Sequence, residues 1–288
     1  MTAKSKKKKS PKRAVARAAT LSSKLRRLAL WLITSSAIGT QISSCGLIPR
    51  FEESGYANKG TDSPALAPTR FASCPEFFAG GVAPRVSAMP KLRELCYNAF
   101  AVLHNGSTRT PVFVAERLNR QSLLQAQGEQ RTDRFFADAR LPRGERAELN
   151  DYKGSGFARG HMAPAGNMPT PEAMAQSFSL ANMVPQNSKQ NSGPWAKIEK
   201  DTRNYVLRAQ GDVYVITGPV FEPKSETIGA NHVNVPSQLF KLVYDATTQR
   251  AWAHWQPNSE QAKAGRPISY GELEQRIGME LLPGVPIK

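Results

Sequence analysis

The chain contains few of the residues that build metal clusters or disulfide frameworks. Its 288 residues include three cysteines and four histidines, and no His-x-x-x-His pair occurs. This scarcity argues against a multi-histidine zinc site. The chain also lacks the uninterrupted apolar runs of about 20 residues that membrane-spanning helices need, which excludes a multi-pass membrane protein. A hydrophobic fraction of 40% is enough for a core and excludes a wholly disordered chain.

Acidic residues are absent from the first 44 positions, which hold eleven basic residues. The formal net charge of the whole chain is +16. Of its 39 basic residues, 39 − 11 = 28 remain from residue 45 onward, against 23 acidic residues, a net of only +5. Most of the basicity therefore belongs to a leader, and it does not indicate that the folded part binds nucleic acid.

The leader has the organisation of an export signal. Its basic part ends at Arg27, and a moderately apolar run at 28–39 and small residues follow. Ile-Ser-Ser-Cys at 42–45 resembles a bacterial lipoprotein box, in which a lipidated Cys45 would begin the mature protein. The alternative is an ordinary signal peptide cut nearby; the apolar run argues against a nucleic-acid-binding tail at 6–9. We predict an export signal at 1–45 and a periplasmic, envelope-anchored or secreted protein.

A change of composition marks the end of the leader. Residues 46–72 are rich in Gly, Ser, Pro and Ala, which predicts a flexible linker, and a single folded domain is predicted at 73–288. If Cys45 is lipidated or lost, Cys74 and Cys96 remain as an even pair. In an oxidising compartment they would close a disulfide worth about 3 kcal/mol; the alternative is two buried free thiols.

Short β-prone runs separated by turn residues dominate the domain. We predict strands at 98–103, 111–118, 156–163, 178–184, 213–220, 233–245 and 250–256. Asn105-Gly106 indicates a hairpin between the first two. We predict a short helix within 141–152, one that starts at Thr170, and two more at 194–209 and 269–278. This pattern indicates an α+β fold, a largely antiparallel sheet with flanking helices.

Polar residues cluster in two segments, 156–164 and 182–203. The first carries Arg159 and His161, and the second carries Asn182, Asn191, Glu199 and Arg203. Glu199 and Arg203 are four residues apart on one predicted helix, so they share a face. A strand, a connection, a second strand and this helix can bring these side chains together.

These residues resemble the DNA/RNA non-specific endonuclease family, whose active site is a ββα-metal finger with an Asp-Arg-Gly-His motif. The resemblance lies in Arg-Gly-His-Met at 159–162, in an Asn and a Glu eight residues apart, and in an Arg four residues later. It extends from about residue 74 to residue 256 and includes the segments 109–116 and 215–221. It implies a ββα-metal finger active site in this chain.

The resemblance implies a base and a metal site. His161 matches the general base, Asn191 the single direct ligand of Mg²⁺, and Glu199 the acid that holds metal-bound water; Mn²⁺ can substitute. Simple chemistry agrees, because a neutral histidine accepts a proton near pH 7 and Mg²⁺ prefers oxygen ligands. The alternatives are that Asn191 only caps a helix and that Glu199 and Arg203 form a plain helix salt bridge.

The resemblance also implies a phosphate site. Arg159 and Arg203 match arginines that contact the phosphate, and Asn182 matches a polar residue that closes the site. The chain departs from the family at Ala158, where the motif usually has Asp. We expect a working but slower enzyme, because Arg159 loses a neighbouring carboxylate. The alternative is that local packing already fixes Arg159.

No residue in the two polar segments reads a base, which fits a nuclease that binds the backbone of nucleic acids. We therefore predict an exported, Mg²⁺-dependent, sugar-non-specific endonuclease that hydrolyses phosphodiester bonds of DNA and RNA. A catalytically degenerate envelope protein that binds nucleic acid without cutting it is the alternative, and Ala158 motivates it.

Overall fold

The computed structural model describes residues 65–288, which form thirteen strands and six α-helices. The strands are β1 (Leu66–Pro68), β2 (Arg85–Ser87), β3 (Leu92–Cys96), β4 (Ala101–Asn105), β5 (Thr110–Leu118), β6 (Ala158–His161), β7 (Met183–Gln186), β8 (Val213–Val220), β9 (Thr227–Ile228), β10 (Val233–Asn234), β11 (Gln238–Asp245), β12 (Arg250–Pro257) and β13 (Ile268–Ser269). The helices are α1 (Arg120–Ala126), α2 (Leu149–Tyr152), α3 (Pro171–Ser177), α4 (Ser188–Gln190), α5 (Ala196–Val206) and α6 (Tyr270–Ile277). None of these helices is long and apolar enough to cross a membrane.

Seven strands form the central sheet in the order β13-β12-β11-β8-β5-β4-β3, and every neighbouring pair is antiparallel. Successive side chains point to opposite faces of a strand, so each face receives every second residue. Leu103 and Phe113 belong to the core on one face, whereas their neighbours Val102 and Val114 belong to the core on the other. The predicted α+β fold with a largely antiparallel sheet and flanking helices is confirmed.

The second face of the sheet carries a small ββα unit, which we call the finger. It consists of the antiparallel pair β6–β7, the helix α4, a π-helical turn at Asn191–Trp195, and α5. Trp195 and Ile198 are buried in the same core as Val102 and Val114. The finger is therefore docked on the sheet by its last helix.

Several predicted boundaries are wrong, and each has a local cause. The strand at 178–184 is confined to β7, because Leu180–Asn182 forms a 3₁₀ turn in which Ser179 accepts the Ala181 N–H. The strand at 233–245 is interrupted at Pro236, which cannot donate to a ladder. The helix at 194–209 is confined to α5. The other predicted elements are present with boundaries that differ from the prediction by at most three residues, and the hairpin at Asn105-Gly106 is confirmed.

The predicted linker at 46–72 extends too far toward the domain. β1 pairs with β2, and the Phe71 side chain is only 1% exposed, so residues 65–72 belong to the fold. A disulfide joins Cys74 to Cys96 at the end of β3, with a Cα–Cα distance of 5.9 Å, which excludes the two free thiols. The predicted export signal at 1–45, with Cys45, and the predicted linker up to residue 64 lie outside the described residues.

Candidate active site

The strand β6 presents the predicted base. Residues two apart share a face of a strand, so Arg159 and His161 lie on one face and Gly160 on the other. The His161 ring packs edge-on against Phe178, at 5.0 Å between centroids, and lies 5.8 Å from Phe135. Its Nε2 atom is buried and has no hydrogen-bond partner among residues 65–288. The imidazole is therefore fixed by aromatic packing.

The surroundings keep His161 neutral. Burial, together with the positive charges of Arg131 and Arg159, lowers the pKa of His161 to about 3, and Asp133 acts in the opposite direction. A neutral imidazole can accept a proton at pH 7, although a pKa near the working pH makes a stronger base. An anionic phosphate beside the two arginines would raise this pKa, because it offsets their charge. The site is thus suited to work when a phosphate is bound.

Arg159 is held by an aromatic ring where the family motif would provide a carboxylate. Its guanidinium carbon lies 4.0 Å from the centroid of the Phe135 ring. Within residues 65–288 it forms no ion pair. The structure therefore supports the alternative in which packing fixes Arg159, and it does not support a poorly positioned arginine caused by Ala158.

Asn191 lies at the junction of α4 and the π-helical turn, in right-handed helical backbone. The helix cap is Asn187, whose side chain accepts the N–H groups of Lys189 and Gln190. The interpretation of Asn191 as a mere cap is therefore wrong. Its side chain is half-buried and, in the part of the chain that the structure describes, makes no hydrogen bond. Within the described residues, the amide oxygen of Asn191 is therefore not engaged by protein groups and can serve as a metal ligand.

Glu199 lies half-buried on α5, eight residues after Asn191. Burial raises the pKa of its carboxyl, while the cations Lys241 and Arg203 and the indole of Trp195 act in the opposite direction. Glu199 and Arg203 are not among the ion pairs of residues 65–288, so they do not form the helix salt bridge considered above; Arg203 donates to Asn167 Oδ1 at 3.3 Å. One amide and one carboxylate are oxygen donors that suit Mg²⁺ or Mn²⁺. No three His, Cys, Asp or Glu side chains of residues 65–288 are grouped as metal ligands.

Asn182 does not take the place that the resemblance implies. The side chain is fully buried, and its Oδ1 accepts the Ala163 N–H at 2.9 Å. Its Nδ2 donates to the carbonyl oxygens of Ala163 and Ser177, both at 2.9 Å. All three bonds go to backbone, so Asn182 positions the chain just after His161 and is not available to substrate.

A network of buried charges lies beneath the site and was not predicted. Glu116 on β5 is 1% exposed, accepts a hydrogen bond from Asn167 at 3.0 Å, and has its pKa raised to about 7 by burial. Lys241 on β11 is also 1% exposed and donates to Thr217 at 2.6 Å. Asn167 connects Glu116 to Arg203. The detectable pattern was a charged residue that follows a run of apolar residues in each of two strands, Glu116 after residues 112–115 and Lys241 after Leu239 and Phe240.

Arg131 is a second residue that sequence reasoning missed. It lies in the connection between α1 and α2, with its guanidinium carbon 4.9 Å from the Phe178 ring centroid. Its charge lowers the pKa of both His161 and Glu199, so it acts on both halves of the site. The connection has no strand or helix pattern, and no motif singles out this arginine.

Comparisons with known sequences agree with this geometry. Residues 83–287 match the family model described as DNA/RNA non-specific endonuclease. The chain is 39% identical over 158 residues to the mitochondrial nuclease EXOG of Xenopus laevis, covering 51% of this chain and 44% of that protein. It is 35% identical over 167 residues to the mitochondrial endonuclease G of Homo sapiens, covering 54% and 56%. The chain thus spans about half the length of these two relatives.

Two further comparisons extend the match. The mitochondrial nuclease 1 of Schizosaccharomyces pombe is 30% identical over 220 residues, which covers 67% of this chain and 66% of that protein. A chain in the crystal structure of the EndoG/EndoGI complex has a TM-score of 0.61 at 24% identity, and the match covers 75% of this chain and 92% of that one. The structural likeness shows a shared fold.

Proposed function

Because the chain belongs to the DNA/RNA non-specific endonuclease family, we propose that it is a metal-dependent endonuclease that hydrolyses phosphodiester bonds of both DNA and RNA. Nucleases of this family depend on a divalent metal ion. The observation that carries the proposal is His161, a neutral imidazole packed against two aromatic rings beside the cationic Arg131 and Arg159. This combination provides a proton acceptor beside a place for a phosphate.

In this proposal the chain's own residues bind the phosphate and move one proton. His161 accepts a proton from the attacking water on its imidazole ring. Arg159 and Arg203 donate charge-assisted hydrogen bonds to the non-bridging oxygens, where negative charge develops. Asn191 would hold Mg²⁺ directly and Glu199 through water. The bound ion would supply charge relief for the phosphate and a means to protonate the leaving oxygen.

The same arrangement supports activity on both DNA and RNA, which differ in their sugar. The side chains of the site are suited to a phosphate and a metal ion, and contacts to the backbone carry no direct sequence information. A protein that binds the phosphate does not distinguish DNA from RNA unless it also contacts the 2′-hydroxyl. We infer that single- and double-stranded DNA and RNA are all substrates.

Incubation of the purified protein with plasmid DNA, single-stranded DNA and RNA tests this proposal. We expect all three to be degraded with Mg²⁺ or Mn²⁺ and to survive with excess EDTA. Activity that survives exhaustive chelation would contradict the metal dependence, and cleavage at one sequence only would contradict the lack of specificity. Binding without cleavage in every metal would favour the degenerate alternative, whose motivation is weakened by the packing of Arg159 on Phe135.

We also propose that the protein is exported. The basic and apolar leader with Cys45 supports export, and the Cys74–Cys96 disulfide is typical of an oxidising compartment. The names of the relatives above place those proteins in mitochondria. Expression of the full chain and of Cys45→Ala in a bacterial host with a radiolabelled fatty acid separates the alternatives. We expect label and membrane attachment for the natural chain only, and an unlabelled protein in the cytosol would contradict export.

A further inference from the structure

A chain of three buried glutamines connects the finger to the central sheet. Gln186 at the end of β7 donates from Nε2 to Gln190 Oε1 on α4. Gln190 donates from Nε2 to Gln256 Oε1 on β12 at 2.9 Å, and Gln256 donates to the backbone carbonyl of Lys263 at 3.1 Å. The three side chains are each at most 1% exposed. Buried amides that bond to one another in series have few alternative partners, so these hydrogen bonds specify one arrangement of the three side chains.

The first glutamine lies directly beneath the strand that carries the base. A Cβ atom on Gly160 would approach Gln186 Oε1 to 1.8 Å, so the glycine between Arg159 and His161 makes room for this amide. The middle glutamine, Gln190, immediately precedes Asn191. The hydrogen-bonded glutamines therefore begin beside β6, which carries His161, pass the residue before Asn191, and end on β12 of the central sheet.

A fourth amide fixes the neighbouring turn. Asn258, two residues after Gln256, accepts the Asn187 N–H at 2.7 Å. Its Nδ2 donates to the carbonyl oxygens of Pro185 and Pro236, at 3.0 and 2.9 Å. Asn187 in turn caps α4, and its carbonyl accepts the Asn191 N–H at 2.8 Å. Gln256 and Asn258 thus bond to Gln190 and Asn187, two residues of the segment that leads to Asn191.

The finger needs this external support because it is small. Its strands pair over four residues each, and two-stranded hairpins of that size are marginal in water. Asn191 also lies where α4 gives way to a π-helical turn, so no regular helix extends across it. An external framework is what can hold its side chain in one place.

We propose that Gln190, Gln256 and Asn258 are positioning residues that orient Asn191 for metal binding from the far end of the sheet. They touch neither the metal nor the substrate, and they act through the backbone that carries Asn191. The proposal depends on the metal site of the proposed function. Residues that orient metal ligands from behind typically alter metal affinity about 10- to 100-fold.

Mn²⁺ binding, followed by the electron paramagnetic resonance of free Mn²⁺, tests the proposal without relying on turnover. Gln256→Leu removes both hydrogen bonds at similar volume, and we expect its Kd for Mn²⁺ to rise about tenfold. We expect kcat at saturating metal to fall less than about threefold, because the base and the arginines stay in place. Gln256→Glu keeps an oxygen for the Gln190 N–H and should recover most of the affinity.

Asn105→Ala is the matched control. Asn105 is a buried amide on β4 that bonds to the Ser107 N–H and contacts Met89 Sδ, outside the finger. It should lower the melting temperature and leave the Kd for Mn²⁺ unchanged. An equal rise in Kd for Asn105→Ala and Gln256→Leu, or a Kd for Gln256→Leu within twofold of the natural protein, would overturn the proposal.

Asn258→Asp provides a second route if Gln256→Leu does not fold. Asn258 is half-buried, and the aspartate keeps the acceptor for Asn187 while losing both donated bonds. We expect a several-fold weaker Kd for Mn²⁺, and an unchanged Kd would contradict the role of this residue. If the natural protein itself binds no Mn²⁺, the metal site of the proposed function fails, which is a different result from a natural protein that binds and variants that match it.

Discussion

The central sheet and the finger are held together by different interactions. The sheet separates two apolar cores by strand alternation, and a residue such as Leu242 is stabilised by burial alone. The finger is a short hairpin and a broken helix, and amides fix its shape: Asn182 behind His161, and Gln190 and Asn258 around Asn191. Apolar packing tolerates small shifts, whereas hydrogen-bonded amides specify orientation. The difference matches the tasks of stability in the sheet and of precise placement in the finger.

The largest expected effect removes the base from the finger. His161→Ala should lower the rate of phosphodiester cleavage by about 10²–10⁴, because general-base catalysis contributes that much. Binding of a short DNA duplex should persist, since the arginines remain. Plasmid cleavage and fluorescence anisotropy measure the two quantities. His232→Ala is the control, and a His161→Ala rate within about threefold of the natural rate would assign the base to another residue.

A pair of substitutions contrasts the two kinds of interaction. Leu242→Ala in the sheet should lower the free energy of unfolding by about 2–5 kcal/mol and leave kcat unchanged, because only a cavity is created. Asn182→Ala should cost about 1–3 kcal/mol for each buried backbone group left unpaired, and it should also lower kcat because the chain after His161 moves. Urea unfolding and cleavage rates are measured on both. Equal losses of kcat would contradict the division between sheet and finger.

Much of the sheet could be predicted, because alternation and turn residues act locally. The Asn105-Gly106 hairpin and the strand Val213–Val220 follow from such patterns. The predicted finger residues were found through their spacing. The partners that hold them could not be: Gln256 lies 66 positions after Gln190, to which it bonds, and Asn167 lies 36 positions before Arg203, to which it bonds. A hydrogen bond between distant strands leaves no period in the sequence, and a buried amide looks like a surface amide until the fold is known.

Two buried titratable groups, Glu116 in the sheet and His161 in the finger, should give pH dependences of opposite sign. In the sheet, burial raises the pKa of Glu116 to about 7 from an ordinary 4.5, so the folded state binds more protons than the unfolded state between these values. Stability should therefore fall as pH rises from 4.5 to 7. Glu116→Gln keeps the acceptor for Asn167 and has no group that titrates here. Its free energy of unfolding, measured with urea, should therefore rise by about 3 kcal/mol relative to that of the natural protein between pH 4.5 and pH 7. A constant difference between pH 4.5 and 7.5 would contradict the raised pKa.

In the finger the sign is opposite. The pKa of His161 falls to about 3 from an ordinary 6.5, so the unfolded state binds more protons in this window and stability should decrease as pH falls below 6.5. His161→Gln should remove this loss. As the pH falls from 7 to 4.5, its free energy of unfolding should rise by about 2–3 kcal/mol relative to that of the natural protein. His254, whose pKa burial lowers to about 4, titrates in both proteins and cancels in the comparison. Parallel stability curves would show that His161 is not buried as a neutral group.

The smallest expected effect concerns Ala158, where the chain departs from the family motif. A carboxylate beside Arg159 would compete with Phe135 and with the substrate phosphate for the guanidinium, which already lies 4.0 Å from the ring centroid. It would also add negative charge where a phosphate must bind. We therefore expect Ala158→Asp to lower kcat/KM by a few-fold at every Mg²⁺ concentration, in steady-state assays on a defined oligonucleotide.

The double variant Ala158→Asp with Phe135→Leu separates the two ways of holding Arg159. If the ring and the carboxylate are alternative supports, the aspartate should be harmful when Phe135 is present and helpful when it is absent. Phe135→Leu alone should then be slower than the natural protein, because Arg159 loses its support and the His161 ring loses one of its aromatic neighbours. A faster Ala158→Asp enzyme with Phe135 intact would mean that the ring does not fix the arginine. The alanine would then be a defect of the site and not an adaptation to aromatic packing.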